Sequence, residues 1–508
     1  MGKKNILFVH EGKPVDKGAN KIILMPMGLI SLADFIESKS LKSHIIHLPT
    51  EKHLDPEFDI IKKIEELEAD IICLDIHWHQ QLYFVTNLIK KIKEEMPNKY
   101  IIVGGYTASY FYNELMNDFK EIDYIIRGDG EVPLKQLVNL LYDGNSEKEL
   151  RKVPNLVWRK KSKPIINPLS FTHCEKSLGK LNHANFDLIV NKEHYIKPRI
   201  FEGVLKKPIK KEQTVFFYNC GRGCPYNCSI CGGSKSSQRI ISNRKKISYT
   251  PIPTVIENLK KAKSEGFDTW FNTFDPSLDR TYFNKLFKKI REENINLNLQ
   301  FEQLHIPSEE FIKDTLATFE NIRFDFVIKT GSDNLRKRNK GNFYNNYDII
   351  ETLKRLSRTR IKVDLSIAPG LPFESNKTIL ETLSLISYIK NNFKNVRINS
   401  EPLEIEPVSP MHMEHEKYNI IPFRKNFYDF LKAHSQESGL GYRTKEFTEE
   451  QILKIEDLFK LEAGCKMKKS FFHQYLLKNL FLLDYFHIDK LKNLCKPCKN
   501  YNKCMQKC

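Results

Sequence analysis

Residues 218–233, YNCGRGCPYNCSICGG, place four cysteines within twelve positions of the chain. Cys224, Cys228 and Cys231 have the spacing C-x3-C-x2-C, and Cys220 lies just before them. The stretch overlaps the apolar run TVFFYN, which predicts a β-strand, so the cysteines occupy the loop at the carboxyl end of that strand. Thiols spaced in this way can staple a fold by disulfides, hold a structural metal, or hold a metal that does chemistry.

The composition describes a globular chain of several domains. With 508 residues, of which 41% are apolar and 11% aromatic, the chain is long enough for about two to four hydrophobic cores. It contains no apolar run of about 18 residues, and its start, MGKKNILFVHEG, predicts a first strand instead of a signal peptide. We therefore expect a cytoplasmic protein that does not enter membranes, in which clustered cysteines indicate metal binding before disulfides.

The net charge is +18, from 81 basic and 63 acidic residues. A nucleic-acid partner is one interpretation of such a charge. The lysines are spread along the whole chain, mostly on the polar faces of predicted helices, and charge alone marks no groove. We therefore interpret the excess as a solvated surface and expect no nucleic-acid partner.

Three thiolates on one tight loop suit an iron–sulfur cluster. A 4Fe-4S cluster has four irons, so three cysteine ligands leave one iron open, which is typical of a metal site that does chemistry. A structural zinc would need a fourth ligand, which makes it the weaker alternative, together with unrelated buried cysteines. Neighbouring glycines let the backbone approach a bulky group closely, and Cys220 is interpreted as a small buried neighbour of the triad.

Two stretches of the chain alternate short apolar runs with amphipathic helical patterns. In residues 1–140 five such runs (NILFV, HIIHL, DIICLDI, YIIVGG and DYIIRG) predict an α/β doubly wound parallel sheet, which binds ligands at the carboxyl ends of its strands. In residues 211–420 six strand–helix units predict a partial (β/α)6 barrel of the TIM type, although periodicity alone does not separate it from a second open sheet. Residues 141–210 are expected to form a connector, and residues 421–508 a helical extension with a cysteine-rich end.

The C-x3-C-x2-C loop after a first barrel strand resembles the hallmark of the radical SAM enzymes. The resemblance implies that Cys224, Cys228 and Cys231 hold a 4Fe-4S cluster whose open iron chelates S-adenosylmethionine, and that cleavage of this cosubstrate yields a 5′-deoxyadenosyl radical. It also implies an electron donor such as flavodoxin or ferredoxin. Polar residues after the second and fourth barrel strands resemble the family's contacts to S-adenosylmethionine, with helix capping as the alternative role near Asp275: Asn272, Thr273, Asp275, Lys329, Ser332 and Arg338.

A parallel sheet ahead of such a barrel resembles the cobalamin-binding, Rossmann-like domain of the cobalamin-dependent radical SAM enzymes. The stretch LMPMGLISLADFIES looks like the class's loop and first helix, VGGYTAS like a turn that holds the cobalamin nucleotide tail, and DYIIRGDGEVPLKQLV like the last strand and helix. The polar loop DIHWHQQ is expected at the same sheet edge. Its side chains either contact the corrin or form a solvated loop. The resemblance and this loop together give the cobalamin candidates Asp75, His77, Trp78, Gly104, Gly105, Thr107, Gly128, Gly130 and Glu131.

One departure from that class concerns the lower cobalt ligand. Many cobalamin proteins supply a histidine from a D-x-H-x-x-G loop after the first strand, but here the loop is HEGKPVDKGAN. When Gly18 is aligned with the motif glycine, Val15 takes the histidine position and Lys13 the aspartate position, while His10 lies five residues too early. We therefore expect no histidine of this loop to ligate cobalt.

The last cysteines of the chain form a second cluster. Their spacing, C-x2-C-x5-C-x3-C, resembles part of the SPASM extension, which holds auxiliary iron–sulfur clusters in peptide-modifying radical SAM enzymes. Two parts of that extension are missing, an upstream glycine–cysteine element and a final downstream cysteine. A second iron–sulfur cluster, a structural zinc and no metal all stay open for Cys495, Cys498, Cys504 and Cys508, with Cys465 as a further ligand candidate.

The combined resemblance implies a cobalamin-dependent radical SAM methyltransferase that methylates an unactivated carbon of a natural-product or peptide substrate. It also implies that the strand ends of the sheet and the barrel mouth face each other across the active site. The runner-up is a non-methylating cobalamin radical SAM enzyme that catalyses a cyclisation, ring contraction or rearrangement. A non-catalytic cobalamin or metal sensor is a further alternative, against which the complete cysteine triad argues. No motif identifies the substrate or a catalytic side chain.

Overall fold

The computed structural model describes residues 4–12, 27–144, 146–194, 214–275, 280–341, 343–433 and 439–464. Within these ranges the chain forms two parallel α/β units and a smaller C-terminal region. Several residues named above lie outside the described residues, so their predictions stay untested: Lys13, Val15, Gly18, Cys465, Cys495, Cys498, Cys504 and Cys508.

The first unit is built on a seven-stranded sheet. Its strands are β1 Lys4–His10, β2 Leu41–His47, β3 Ala69–Asp75, β4 Tyr100–Gly104, β5 Tyr124–Ile126, β6 Leu156–Lys160 and β7 Lys163–Ile166. Its helices are α1 Met27–Ile36, α2 Leu48–Leu54, α3 Ile60–Glu66, α4 Leu82–Glu95, α5 Tyr106–Tyr110, α6 Tyr112–Asp118, α7 Glu131–Asp143, α8 Glu147–Leu150 and α9 Glu175–Leu178.

The strand order of this sheet is β2-β1-β3-β4-β5-β6-β7, and β1 to β5 are parallel. Residues 6–10 of β1 are all buried, as expected for a central parallel strand covered on both faces. The strand order reverses between β1 and β3, and open parallel sheets bind ligands outside the carboxyl ends of the strands at such a point. The predicted doubly wound sheet is confirmed, and its ligand-binding edge is expected at the ends of β1 and β3.

The segment expected to be a connector instead extends this sheet. β6 pairs antiparallel with β5, and β7 pairs antiparallel with β6. At the opposite edge Ile189 forms a parallel bridge to Ile45 of β2, so residues 151–189 reach from one edge of the sheet to the other. The run LVWRKKSKPII carries charges and a proline that are typical of edge strands, which hid the hairpin in the sequence.

The second unit contains a six-stranded sheet and a small two-stranded one. Its strands are β8 Val215–Phe217, β9 Gly221–Arg222, β10 Ser248–Tyr249, β11 Thr269–Asn272, β12 Asn298–Gln303, β13 Ile322–Lys329, β14 Lys362–Ile367 and β15 Val396–Ser400. Its helices are α10 Lys235–Ser242, α11 Ile252–Ser264, α12 Thr281–Glu292, α13 Glu309–Thr318, α14 Asp333–Asn339, α15 Asn346–Leu356 and α16 Asn376–Asn392.

The six-stranded sheet has the order β15-β14-β13-β12-β11-β8, and each neighbouring pair is parallel. Each strand coincides with one of the predicted runs, apart from one further residue at the ends of β12 and β13, and helices lie between successive strands. Six parallel strands in sequential order, with β8 and β15 at the edges, have the topology of an open, partial barrel. The predicted strand–helix units are confirmed, and the cysteine loop follows the first of them.

The C-terminal region adds α17 Pro410–Met413, β16 Ile420–Pro422, α18 Phe427–Ala433, β17 Tyr442–Thr444 and α19 Glu449–Glu462. Its two strands pair antiparallel, which the helical expectation for this region did not include. Three residues of each strand are too few for a recognisable alternation in the sequence. None of the described helices is both long and apolar enough to cross a membrane.

Candidate active site

A cavity of about 800 Å³ lies between the two units. The first unit lines it with the carboxyl ends of β1, β3, β4 and β5, and the second unit lines it with residues that follow β8 and β11. Because parallel sheets bind ligands at the carboxyl ends of their strands, both binding edges open onto the same space. The relation between sheet and barrel mouth that the resemblance implies is therefore present.

Gly221, Arg222 and Gly223, directly before the predicted cysteine triad, line this cavity. The loop that carries the triad is fixed by hydrogen bonds to other segments. The Ser229 amide donates to the Asn339 carbonyl at 2.8 Å, and the Ser229 hydroxyl donates to the Asn339 side chain at 2.6 Å. The Lys235 amide, at the start of α10, donates to the Tyr226 carbonyl at 2.8 Å. The segments on both sides of Cys228 are thus held by the barrel scaffold.

Two of the three predicted ligand thiols accept backbone hydrogen bonds, Cys228 from the Gly341 amide at 3.2 Å and Cys231 from the Gly233 amide at 3.3 Å. Such bonds stabilise thiolate ligands and tune the potential of a bound cluster. Burial raises the pKa of the Cys224 and Cys231 thiols, so binding of a metal would have to displace their protons. Among the described residues no group of three His, Cys, Asp or Glu side chains converges on one metal ion.

Cys220 differs from the triad in its environment. It is fully buried, whereas Cys224 and Cys228 are half-buried and Cys231 is exposed. Burial raises the pKa of the Cys220 thiol well above its ordinary value, and its full burial sets it apart from the three other thiols.

Most cobalamin candidates line the cavity: Asp75, His77, Trp78, Gly104, Gly105, Gly128, Gly130 and Glu131. Thr107 lies behind the lining, where its hydroxyl donates to the His77 carbonyl at 3.0 Å and holds the loop after β3. The His77 ring packs against Trp78 and Tyr106, with ring centroids 5.1 Å apart in both pairs. The loop therefore presents aromatic rings to the cavity.

His10 and Asp75 form a buried pair at the switch point of the first sheet. Nδ1 of His10 lies 2.8 and 3.0 Å from the two carboxylate oxygens of Asp75. His10 ends β1, begins the loop HEGKPVDKGAN and lines the cavity. The carboxylate of Asp75 is thus paired with the histidine that the sequence placed five residues too early for the cobalt-ligand motif.

Gly104 and Gly105 end β4 under different constraints. Gly105 has a φ of +103°, and a Cβ there would lie 2.6 Å from the Ile76 carbonyl oxygen. Gly104 has ordinary dihedrals, and a Cβ there would meet only the Ile126 carbonyl oxygen, at 3.6 Å. Gly105 is therefore required by the turn itself, whereas Gly104 leaves space beside the cavity.

Substituting these glycines should separate folding from cofactor contact. Gly105→Ala forces a positive φ and a backbone clash, which costs about 1–3 kcal/mol, so we expect a lower thermal midpoint without cofactor. Gly104→Ala should fold like the wild type but retain less cobalamin, because its Cβ occupies space needed by the nucleotide tail. Differential scanning calorimetry and the visible absorbance of bound cobalamin measure the two effects. Full cobalamin retention by Gly104→Ala would contradict the proposed contact.

A buried ionic network joins the two units beside the cavity. Arg222, in the cysteine stretch, binds Asp129 at 2.8 Å and also binds Glu131. Arg244 binds Asp129 from the other unit, and the His173 imidazole lies 2.9 Å from Glu131. Burial alone would raise the pKa of Glu131, but the Arg222 guanidinium and the hydrogen bond from His173 hold this pKa well below its usual range. The Glu131 carboxylate, which the sequence assigned to cobalamin, therefore forms an ion pair that joins the two units.

The candidates after β11 lie at the barrel mouth. Thr273 lines the cavity, and its amide and hydroxyl both donate to the Asn219 side chain, at 2.8 and 3.0 Å. Asn272 and Asp275 are buried, and each keeps one side-chain oxygen without a hydrogen-bond partner among the described residues. Burial raises the pKa of Asp275 to about 6 despite the nearby Arg280 guanidinium.

The candidates after β13 are not brought together. Lys329 ends the strand with a φ of +64°, and burial lowers the pKa of its ammonium while the Glu302 carboxylate opposes that shift. Ser332 is buried and caps α14 by accepting from the Leu335 amide. Arg338 stacks 3.5 Å above the Phe373 ring and lines a separate cavity of about 180 Å³. Among these three candidates, only Lys329 combines a strained backbone conformation with a charged side chain near the cysteine loop.

Comparison with known proteins gives two matching domains. Residues 21–138 match the B12 binding domain, and residues 218–386 match the Radical SAM superfamily. A hopanoid C-3 methylase of Methylococcus capsulatus is 24% identical over 247 residues, which are 48% of this chain and 41% of that protein. An anaerobic magnesium-protoporphyrin IX monomethyl ester cyclase of Cereibacter sphaeroides is 25% identical over 173 residues, 34% of this chain and 26% of the cyclase. The chain thus spans less than half the length of either relative.

A solved structure shares the architecture of both units. The radical S-adenosylmethionine methyltransferase TsrM from Kitasatospora setae, with cobalamin and a 4Fe-4S cluster bound, matches with a TM-score of 0.60. The match covers 83% of this chain and 80% of TsrM at 15% sequence identity, so the likeness concerns the fold.

Proposed function

Because this chain is a radical SAM protein that carries a B12 binding domain, we propose that it is a cobalamin-dependent methyltransferase acting on an unactivated carbon. The observation that carries the proposal is the cavity onto which the carboxyl ends of both sheets open, lined also by Gly223 directly before Cys224. A radical source on one side and a methyl donor on the other would both reach a substrate held between them. The hopanoid methylase relative supports methyl transfer in particular.

When bound, the cluster with S-adenosylmethionine would supply a 5′-deoxyadenosyl radical, and cobalamin would supply the methyl group. The residues present fit these groups. Cys224, Cys228 and Cys231 provide three sulfur ligands and leave one iron free for the cosubstrate. The unpartnered buried oxygens of Asn272 and Asp275 suit its ammonium group.

On the first unit the fit is one of shape. Glycine backbone at Gly104 leaves room along the carboxyl end of β4, and the His77 and Trp78 rings offer flat apolar faces to a corrin. We propose that these residues hold the cofactor, and that the His10–Asp75 pair stiffens the loop beneath it. Their part in the reaction is binding, orientation and exclusion of water.

A second candidate function is a radical cyclisation or rearrangement without methyl transfer. The relative that is a cyclase, with 25% identity, favours it. No side chain in the cavity separates the two reactions, since the same radical and cofactor serve both.

Isotope labelling of the S-adenosylmethionine methyl group distinguishes the two functions. For a methyltransferase we expect the label in the product together with formation of 5′-deoxyadenosine. The reduced, reconstituted protein is incubated with candidate natural-product and peptide substrates, and product and nucleoside are followed by mass spectrometry. Formation of 5′-deoxyadenosine and of a product without label would favour the cyclase-type reaction. Absence of any cleavage would point to the non-catalytic sensor.

A further inference from the structure

The surface over the cysteine loop is basic. Residues 224–246 contain five Lys or Arg and residues 334–347 contain four, yet neither stretch contains an Asp or a Glu. The chain as a whole has 63 acidic residues among 508, so this absence is local. Arg244 and Arg336 are buried and bound to internal partners, but most of the others are exposed.

These two stretches meet at the cysteine loop. The side chain of Asn227 accepts the Ser236 amide of α10 at 3.0 Å. On the other side, the backbone of Asn227 packs against Gly341 so closely that a Cβ there would lie 2.4 Å from the Asn227 nitrogen. Gly341 is itself exposed, and its amide donates to Cys228 Sγ at 3.2 Å. One hydrogen bond therefore joins the protein surface to a ligand sulfur.

We propose that this surface is the docking site of an acidic one-electron donor protein. This donor face consists of Asn227, Lys235, Arg239, Ile240, Lys337 and Phe343. The inference rests on the proposed function, because a radical SAM cluster needs a reductant. In the step, one electron leaves the donor and enters the cluster, and no atom is transferred. The donor is oxidised by one electron as the cluster is reduced.

Charge and exposure both suit a protein partner. Lys235, Arg239 and Lys337 are exposed and form no ion pair with a carboxylate in the part of the chain that the structure describes. Ile240 is 42% exposed and Phe343 44%, which adds exposed apolar side chains to the basic ones. Protein interfaces combine apolar and polar side chains. Complementary charge mainly accelerates encounter, which is the demand on a transient electron donor.

A direct test measures cluster reduction by an acidic flavodoxin. The holoenzyme is mixed with the reduced flavodoxin in a stopped-flow instrument, and loss of the cluster's visible absorbance is followed at low and high salt. The triple variant Lys235→Glu, Arg239→Glu, Lys337→Glu should be reduced at least about tenfold more slowly at low salt, and with little salt dependence. Reduction by dithionite, a small molecule, should be unchanged.

The matched control reverses three exposed charges elsewhere: Lys285, Lys313 and Arg358, each to Glu. Its net charge change is identical, and it should be reduced at the wild-type rate. Equal slowing of this control, or no slowing of the donor-face variant, would overturn the proposal. So would loss of transfer-RNA binding in the variant without any effect on reduction by flavodoxin, since the surface would then serve a nucleic acid.

The test also separates this inference from the proposed function. If dithionite reduces the cluster but flavodoxin reduces wild type and variant alike, the donor face is refuted and the proposed function stands. If dithionite reduces no cluster in the wild-type protein, the proposed function fails and the donor face fails with it.

Discussion

Replacing Cys228 by alanine should abolish formation of 5′-deoxyadenosine from S-adenosylmethionine. The remaining two thiols cannot hold a cluster with one open iron, so the cosubstrate loses its anchoring metal. We expect the iron content of the reconstituted protein to fall by about four atoms per chain, and nucleoside formation to fall to the background of a protein-free reaction. Iron and sulfide analysis and liquid chromatography measure the two quantities.

Cys220 provides the matched control, since it belongs to the same stretch and is the same residue type. Cys220→Ala removes one buried sulfur and should cost about 1 kcal/mol of stability without loss of iron or activity. If Cys220→Ala lost the cluster and Cys228→Ala kept it, the assignment of the triad would be wrong. Iron left in the Cys228→Ala variant would belong to the tail cysteines, which the same measurement therefore counts.

Replacing Glu131 should weaken the contact between the two units more than replacing any other single carboxylate residue at their junction. Glu131→Ala leaves Arg222 and His173 without a buried partner, and breaking a buried pair in this way costs about 3–5 kcal/mol. We expect a lower denaturation midpoint and reduced cobalamin retention, because the cavity lies directly beside the network. A double-mutant cycle with Arg222→Ala measures the coupling between the two residues.

The same pair gives a pH dependence with a defined sign. Since the folded-state pKa of Glu131 lies below the ordinary value of 4.5, its contribution to stability is complete above pH 4.5. It is lost as the pH falls through the lower folded-state value. Wild type should therefore lose stability in acid more steeply than Glu131→Gln, which cannot ionise, when thermal midpoints are compared across that range.

Glu147 is a suitable control for this prediction. It pairs with Lys160 at the surface, where about half of its side chain is exposed. Solvent-exposed pairs of this kind contribute about 0–1 kcal/mol, so Glu147→Ala should leave the midpoint nearly unchanged. A loss as large as that of Glu131→Ala would show that the buried location of the network is not the cause.

Predictions from the sequence succeeded where a pattern is periodic and local. Residues 6–9 of NILFV are all apolar, as in a strand buried on both faces, and the run lies in β1. In IRFDFVI, residues 322–328, apolar residues alternate with Arg323 and Asp325, and the run lies in β13. The hairpin of β6 and β7 was not predicted from the sequence. The charges of WRKKSK, which are tolerated at the edge of a sheet, interrupt the alternation of apolar and polar residues there. The strands β16 and β17 were not predicted, because three residues are too few to show an alternation of apolar and polar residues.

Contacts between residues that are far apart in the sequence could not be predicted from local patterns. The resemblance of the stretch DYIIRGDGEVPLKQLV to a cobalamin-binding domain singled out Glu131. Its partner Arg222 lies in a different unit, and nothing in the sequence links the two residues. The amide of Gly341 lies 113 positions from the sulfur that it contacts, within a stretch that the sequence assigned to S-adenosylmethionine. Thr107 and Ser332 carry hydroxyls at expected positions, yet both are used for local backbone contacts.

The amino-acid sequence by itself determined the two α/β units and the triad of Cys224, Cys228 and Cys231. Strand and helix periods, and ligand spacing within one loop, are properties of neighbouring residues. Only the tertiary structure decided which residues line the cavity between the two sheets, that Glu131 bridges the units, and that a basic face covers the cysteine loop. Those features depend on which surfaces come together when the chain packs, and residues far apart in sequence carry no mutual signal until they touch.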